Sequence, residues 1–263
     1  MKYPGRIIKA GERDAAIVKA LKKRLNEVLA LESDPALRLD PNDPVFGVKM
    51  TQAVKLFQTR HVDDEGRPLK QDGKVGSLTW GALFGSATMP ISDEPKDPYL
   101  AKVVRVASGE EAKHVREVPA NSNRGPEVEA YLSRTGTPAG NPWCCAFVYW
   151  CFDEAAKAVG RANPMVKTAG CMDHWRRAAA KGAKRVLASD AAEDAGLVKA
   201  GMVLIVDHGA GKGHTGLVET VAGGLITTIE GNTDASKTRE GGGVYRLVRK
   251  IVDINKGFID YSG

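Results

Sequence analysis

Cysteine is scarce in this chain and is confined to one short stretch. The 263 residues include four cysteines, and the first 143 residues have none. The four are Cys144, Cys145, Cys151 and Cys171. A disulfide framework needs cysteines spread along the chain, and adjacent cysteines can be bridged only with strain. The pattern therefore predicts free thiols made in a reducing compartment.

Long apolar runs are also absent. No segment approaches the roughly 18 consecutive apolar residues of a membrane span, so we expect no membrane insertion. The N-terminal stretch "MKYPGRIIKAGERDAAIVKALKKRL" lacks the unbroken apolar run of a secretory signal. We therefore expect the chain to be made in the cytoplasm without a signal peptide.

The chain also has only a small excess of positive charge. Lys and Arg number 38 against 32 Asp and Glu, which gives a formal net charge of +6. A mildly basic protein is drawn to anionic surfaces. Because the basic residues are scattered, with no basic arm or helix, we expect no nucleic-acid partner. A bacterial wall, with its acidic peptides and polymers, would attract the same charge.

Apolar periodicity predicts two domains joined by a linker. The segments "AAIVKALKKRLNEVLAL", "MTQAVKLFQTRH" and "SLTWGALFG" predict a three-helix domain over residues 1–88. A stretch rich in Pro and acidic residues predicts a linker over 89–98. In residues 99–263, helical patterns come first, and short Val-, Ile- and Thr-rich segments between glycine turns follow. Helices followed by antiparallel strands predict an α+β domain.

The stretch "GNPWCCAF" contains the candidate nucleophiles. Its Asn-Pro pair favours a helix start, so Cys144 and Cys145 fall in the first turn, where free N–H groups and the helix dipole stabilise a thiolate. The two side chains differ by about 100° round the helix, and spacing alone does not say which one faces a site. Cysteines in an aromatic-rich helix are usually small buried hydrophobes, which is our interpretation of Cys151 and Cys171.

A thiolate nucleophile needs a base, and the base needs an orienting group. His214 lies in "GKGHTGLVE", where a glycine-rich turn enters a strand. The next strand, "LITTIEGN", places Glu230 and Asn232 on one face, and either could orient the imidazole. A helix-borne cysteine, a strand-borne histidine and a polar partner form the papain-type arrangement. His208, in the preceding loop, is the main competitor of His214.

Metal and cofactor patterns are weak. A zinc site from Asp207, His208 and His214 matches no standard spacing. The segment "HVDDEG" lacks the alternation of a calcium loop, and "GAGKGH" lacks the Lys-Ser/Thr of a phosphate loop. We therefore predict no metal and no cofactor.

The same motifs resemble a known family. In this order, "PWCCAFVYW", "GHTGLVE" and "IEGN" resemble the CHAP family, cysteine, histidine-dependent amidohydrolases/peptidases related to NlpC-type and papain-type hydrolases. The resemblance spans roughly residues 99–260. It implies a papain-like or NlpC-like catalytic domain in which Cys144 attacks, His214 is the base, and Glu230 or Asn232 orients it.

Two positions depart from the family pattern. Cys145 replaces the usual small residue after the nucleophile, which bears on the assignment of Cys144, and Met202 replaces a common Asp. Trp143, directly before the nucleophile, is taken as a substrate-binding candidate.

The N-terminal segments resemble the small three-helix peptidoglycan-binding domain over about residues 12–85. The motifs are "TQAVKLFQTRH" and "DGKVGSLTWGAL". Asp72, Gly73 and Gly76 are first explained by a tight turn. Contact with the polymer is the second inference for these three residues.

These resemblances predict a monomeric two-domain peptidoglycan hydrolase. It would cut an amide bond in the stem peptide or between muramic acid and L-alanine, after release by holin pores or by a secretion system. The alternatives are a non-catalytic wall-binding or phage structural protein, a Cys–His acyltransferase, and a zinc peptidase.

Overall fold

Two compact units make up the chain. The computed structural model describes residues 1–237 and 241–263. The first unit comprises Met1–Pro90 with the short segments Ala192–Gly196 and Ala222–Gly224, and the second comprises Ile91–Ala191, Leu197–Val221 and Leu225–Gly263. The main division falls after Pro90, inside the segment predicted as a linker.

The first unit is helical. It contains α1 (Ala15–Val28), α2 (Val48–Arg60) and α3 (Ser77–Phe84), with short 3-10 helices at Leu31–Ser33 and Ser86–Thr88. Helix α1 begins after Asp14, whose carboxylate accepts from the backbone N–H groups of Ala16 and Ile17, as an N-cap does. The apolar faces meet in a core whose fully buried members include Leu21, Leu25, Val54, Phe57 and Trp80.

The rest of the described chain adds five helices and seven strands. The helices are α4 (Pro98–Ala112), α5 (Pro126–Thr135), α6 (Cys144–Ala158), α7 (Cys171–Arg177) and α8 (Ala188–Glu193). The strands are β1 (Ile91–Ser92), β2 (Lys184–Leu187), β3 (Val203–Gly209), β4 (Lys212–Ala222), β5 (Leu225–Thr233), β6 (Gly243–Lys250) and β7 (Gly257–Asp260). Short 3-10 helices lie at Ala178–Lys181, Ala195–Leu197 and Ile251–Asp253.

The strands form one sheet in the order β2-β7-β3-β4-β5-β6, and β1 pairs with β4. The pairs β2–β7, β3–β7, β3–β4 and β5–β6 are antiparallel. Helices combined with an antiparallel sheet make this an α+β structure. Among the described residues, no helix has both the length and the apolar character needed to cross a membrane.

Helix α6 lies at the centre of the second unit's core. Ten of its fifteen residues are buried, among them Phe147 and Phe152. They pack with residues such as Leu217 of β4 and Ile229 of β5 in one hydrophobic cluster. This extensive burial explains why the sequence of α6 is rich in aromatic residues. The same packing holds the N-terminal end of the helix against the sheet.

Some element boundaries differ from the predictions. Helix α6 begins at Cys144 rather than at Pro142, because Trp143 has non-helical dihedrals (φ −123°, ψ 7°) and occupies the cap position without a side-chain capping bond. The strands β2 and β7 were not predicted. Each has four residues and pairs with the other, so neither is long enough to show a clear alternation.

Candidate active site

Cys144 is the first residue of α6 and is 3% exposed. Its Sγ lies 3.5 Å from Sγ of Cys171, which begins α7. This contact and burial raise the pKa of Cys144 well above its ordinary value, while neighbouring His214 acts in the opposite direction. The nucleophile candidate therefore interacts with a second thiol and with an imidazole.

Cys145 has different surroundings. It is fully buried, and its Sγ faces the backbone carbonyl of Thr168 at 3.5 Å. The rotation of about 100° between successive helical residues separates the two thiols. His214 is close enough to Cys144 to act on the pKa of that thiol, and Cys144 in turn helps to raise the pKa of His214.

His214, near the start of β4, forms a buried pair with Glu230 of β5. Its Nε2 lies 2.7 Å from Oε2 of Glu230, and both side chains are almost completely buried. A carboxylate only accepts hydrogen bonds, so it places a proton on Nε2. Nδ1 has no hydrogen-bond partner in the part of the chain that the structure describes. In the neutral ring this leaves the Nδ1 lone pair as the basic site.

Glu230 is 0% exposed, yet its carboxylate receives four hydrogen bonds. Oε1 accepts from Thr228 Oγ1 at 2.5 Å and from Arg249 Nε at 2.6 Å. Oε2 accepts from Arg249 Nη2 and from His214 Nε2, both at 2.7 Å. A buried carboxylate is stable only when it is paired and hydrogen-bonded, and here both requirements are met.

The ionised states follow from these contacts. Burial alone would raise the pKa of Glu230, but the bonds from Arg249 and His214 outweigh it and lower the pKa to about 2. Burial would likewise lower the pKa of His214, but its interactions with Cys144 and Glu230 prevail and raise the pKa to about 9. Opposite charges in a buried site therefore stabilise one another.

Gly216 leaves the space that Glu230 occupies. A Cβ atom at this position would lie 2.4 Å from Glu230 Cγ and 3.1 Å from the backbone oxygen of Ile229. A side chain on β4 two residues after His214 would therefore displace the carboxylate from the imidazole.

Asn232 does not contact His214 through a hydrogen bond. It is fully buried at a register shift of the β5–β6 pair, in the left-handed region with φ 56°. Neither its Oδ1 nor its Nδ2 has a partner among the described residues. Of the two residues predicted as orienting groups, Glu230 is the one that the structure places against the imidazole.

Trp143, predicted to bind substrate, is fully buried. Its Nε1–H donates to Glu117 Oε1 at 2.8 Å, and Glu117 Oε2 accepts from the backbone N–H of Asn123 at 3.0 Å. These bonds tie the residue before α6 to the loop that precedes α5. Trp143 thus supports the start of the nucleophile helix, and its ring has no exposed surface for a ligand.

Asp72 and Gly73 form a turn that is bonded to α2. Asp72 Oδ1 accepts from the backbone N–H of Lys74 at 2.9 Å. Buried Gln58 accepts from Gly73 N–H at 2.9 Å and donates to the carbonyl of Lys74 at 2.9 Å. Gly73 has φ +73°, and a Cβ there would lie 2.7 Å from Thr51 Cγ2.

Gly76 is the N-cap residue of α3. The tight-turn explanation therefore has structural support for Asp72 and Gly73, whereas Gly76 has an extended backbone with φ −86° and ψ −174°. Their contact with a polymer stays a prediction.

His208, the main competitor of His214, is an exposed residue near the end of β3. His174, on α7, is buried; its Nε2 lies 2.8 Å from Tyr261 Oη, and burial lowers its pKa to about 4. Asp207 is paired with Lys256 at 3.2 Å. Within residues 1–237 and 241–263, no group of three His, Cys, Asp or Glu side chains has an arrangement that could hold a metal ion.

Three neighbours of the site were not predicted as functional residues. Arg249 and Gly216 lie in segments predicted only as strands, and Cys171 was interpreted as a small buried hydrophobe. The only sequence signal for Gly216 is its spacing of two residues from His214, which puts both on one strand face.

A thiol at a helix start, an imidazole on a strand and a carboxylate behind the imidazole are the groups of a nucleophilic triad. The fold and the site are thus compatible with the class of cysteine-dependent hydrolases. The family model of the CHAP domain matches residues 136–232. This match indicates a cysteine/histidine amidohydrolase or peptidase acting on peptidoglycan. Comparisons with curated proteins and with solved structures found no match.

Proposed function

We propose that the chain is a peptidoglycan hydrolase that cleaves an amide bond with Cys144 as its nucleophile. One observation carries the proposal: a buried His214–Glu230 pair, 2.7 Å apart, interacts with the cysteine that begins α6. All three residues lie in the segment that matches the CHAP domain. The first unit, with its resemblance to peptidoglycan-binding domains, would hold the enzyme on the polymer.

The proposed reaction begins when Cys144 Sγ attacks the amide carbonyl. In its neutral form, the ring of His214 takes the thiol proton at Nδ1. The resulting imidazolium is stabilised by Glu230, and contacts with Cys144 and Glu230 outweigh burial and raise its pKa to about 9. The imidazolium then protonates the departing amine, which leaves a thioester on Cys144. Water, activated by the neutral imidazole, hydrolyses the thioester and restores the thiol. Glu230 keeps its negative charge throughout.

The start of α6 offers donors for the oxyanion. The first backbone hydrogen bond of the helix runs from Phe147 N–H to the carbonyl of Trp143 at 2.8 Å. The N–H groups of Cys144 and Cys145 precede this bond, so they lack an intrahelical acceptor. Donors of this kind stabilise the negative oxygen of a tetrahedral intermediate.

The proposal is tested with two neighbouring substitutions. We expect Cys144→Ser to reduce the clearing of purified cell walls at least about 1000-fold, because loss of a nucleophile removes the whole catalytic unit. Cys145→Ser is the matched control, since its thiol faces Thr168 rather than His214, and it should keep at least half of the activity. Activity that survives in Cys144→Ser and is lost in Cys145→Ser would contradict the assignment.

The bond is identified from the digest. Mass spectrometry of the released fragments shows which amine has been freed: that of L-alanine for a muramoyl amidase, or an internal residue of the stem peptide for an endopeptidase. Clearing without any new free amine would exclude both forms of the proposal.

A further inference from the structure

Arg249 of β6 donates two parallel hydrogen bonds to the Glu230 carboxylate, which in turn pairs with His214. Its Nε and Nη2 donate to the two oxygens of Glu230 at 2.6 and 2.7 Å. The Arg249 side chain is 15% exposed and that of Glu230 is 0% exposed. Bidentate pairs between guanidinium and carboxylate fix the plane of the carboxylate as well as its position.

The two bonds from Arg249 restrict how the Glu230 carboxylate can turn beside the base, His214. Arg249 Nη2 and His214 Nε2 share Oε2, while Oε1 is taken by Arg249 Nε and Thr228. With Arg249 in place, the carboxylate cannot rotate without breaking several short bonds. Without it, Oε1 would keep the Thr228 bond alone, and the carboxylate would be free to turn away from the imidazole.

Arg249 also neutralises the charge that faces the reacting pair. The titratable groups around His214 and Glu230 are Cys144 on α6 and Arg249 on β6, and Cys171 on α7 contacts Cys144. Loss of the guanidinium would leave an uncompensated negative charge beside the imidazole. That charge opposes formation of a thiolate at Cys144 and favours the protonated ring.

We propose that Arg249 is a positioning residue of the active site, which holds Glu230 in the orientation that directs His214 Nδ1 to Cys144 and offsets its charge. The inference deepens the proposed function and rests on it for its catalytic meaning. The readout below, however, requires no hydrolysis.

The experiment measures how fast iodoacetamide alkylates Cys144 between pH 5 and pH 11, with the Cys144 peptide quantified by mass spectrometry. Wild type is compared with Arg249→Gln, Arg249→Lys and Arg246→Gln. Arg246 is the matched control: it lies on the same strand and is also paired with carboxylates, at Glu219 and Glu111, but it does not touch Glu230.

We expect Arg249→Gln to move the midpoint of the alkylation profile upward by about one pH unit, the effect of removing one nearby charge at the effective dielectric of a buried site. Arg246→Gln should leave the midpoint in place. Arg249→Lys keeps the charge but loses the two-pronged bond, so its midpoint should stay while its plateau rate falls several-fold.

A role in stability alone predicts something different. It would lower the melting temperature of Arg249→Gln and leave the pH profile of the folded protein unchanged, and this result would overturn the inference. If Arg249→Gln does not fold, Arg249→Lys decides, and a plateau equal to wild type would refute the proposal. Wall clearing is recorded in parallel. If wild type clears no walls but the alkylation profile of Arg249→Gln is shifted, the result counts against the proposed function and not against the role of Arg249.

Discussion

The empty space at Gly216 leads to a specific prediction for Gly216→Ala. A Cβ atom there would lie 2.4 Å from Glu230 Cγ, whereas ordinary contacts begin at 3.4 Å. The carboxylate must therefore retreat by about 1 Å, because the pleated backbone of the sheet is the stiffer of the two. A retreat of that size stretches the 2.7 Å bond to His214 beyond the usual hydrogen-bond range, which ends at about 3.2 Å.

The expected losses can be given as magnitudes. Misplacing a catalytic group by about 1 Å costs roughly 100-fold in rate, so wall clearing should fall by about that factor. Overpacking of a core costs about 1–3 kcal/mol. For a unit of this size each kcal/mol lowers the melting temperature by about 2–4 °C. Turbidity of a wall suspension measures the first effect, and circular dichroism on heating measures the second.

Gly109→Ala is the control for Gly216→Ala. Gly109 lies in α4, and a Cβ there would meet nothing within 4 Å. Alanine favours helices over glycine by about 1 kcal/mol, so this variant should be as active as wild type and no less stable. The reasoning is refuted if Gly216→Ala clears walls at the wild-type rate, because the carboxylate would then not need its present position.

Three further predictions concern stability. Gln58→Ala should lower the free energy of unfolding by about 2–3 kcal/mol, seen in a urea titration, because it leaves buried turn amides unpaired; an unchanged midpoint would contradict this. Trp143→Phe should cost about 1–3 kcal/mol, since Glu117 loses its indole donor, and a wild-type melting curve would disprove the claim. The His214–Glu230 pair stabilises the fold most between about pH 4.5 and 6.5. Its contribution, about 3 kcal/mol, falls as the pH rises towards 9, where His214 loses its proton, and as it drops towards 2, where Glu230 gains one. The difference in unfolding free energy between wild type and Glu230→Gln, measured across this pH range, isolates the contribution of the pair. A difference that does not change with pH would contradict the prediction.

Local patterns in the sequence were enough to predict the main elements. Helix α5, for example, has Pro126 in its first turn and ends where Gly136 adopts a left-handed conformation with φ 76°, as its "GPEVEAYLSRTG" pattern indicates. The strands β3 to β6 likewise follow from β-branched residues between glycine turns. These features depend on neighbours in the chain, which a sequence displays directly. The short strands β2 and β7 are defined by pairing with each other and, for β7, with β3, which local patterns do not record, so they were not foreseen.

The sequence by itself determined the chemical types present: a cysteine at a helix start, then a histidine, then an acidic residue on successive strands. Only the tertiary structure decided which members meet. It brought Cys144 rather than Cys145 to His214, placed Glu230 rather than Asn232 behind the ring, and added Arg249 on a third strand. The physical reason is that helix rotation, a register shift in β5 and the reach of a long side chain across a sheet are set by packing between distant segments, and no local spacing records them.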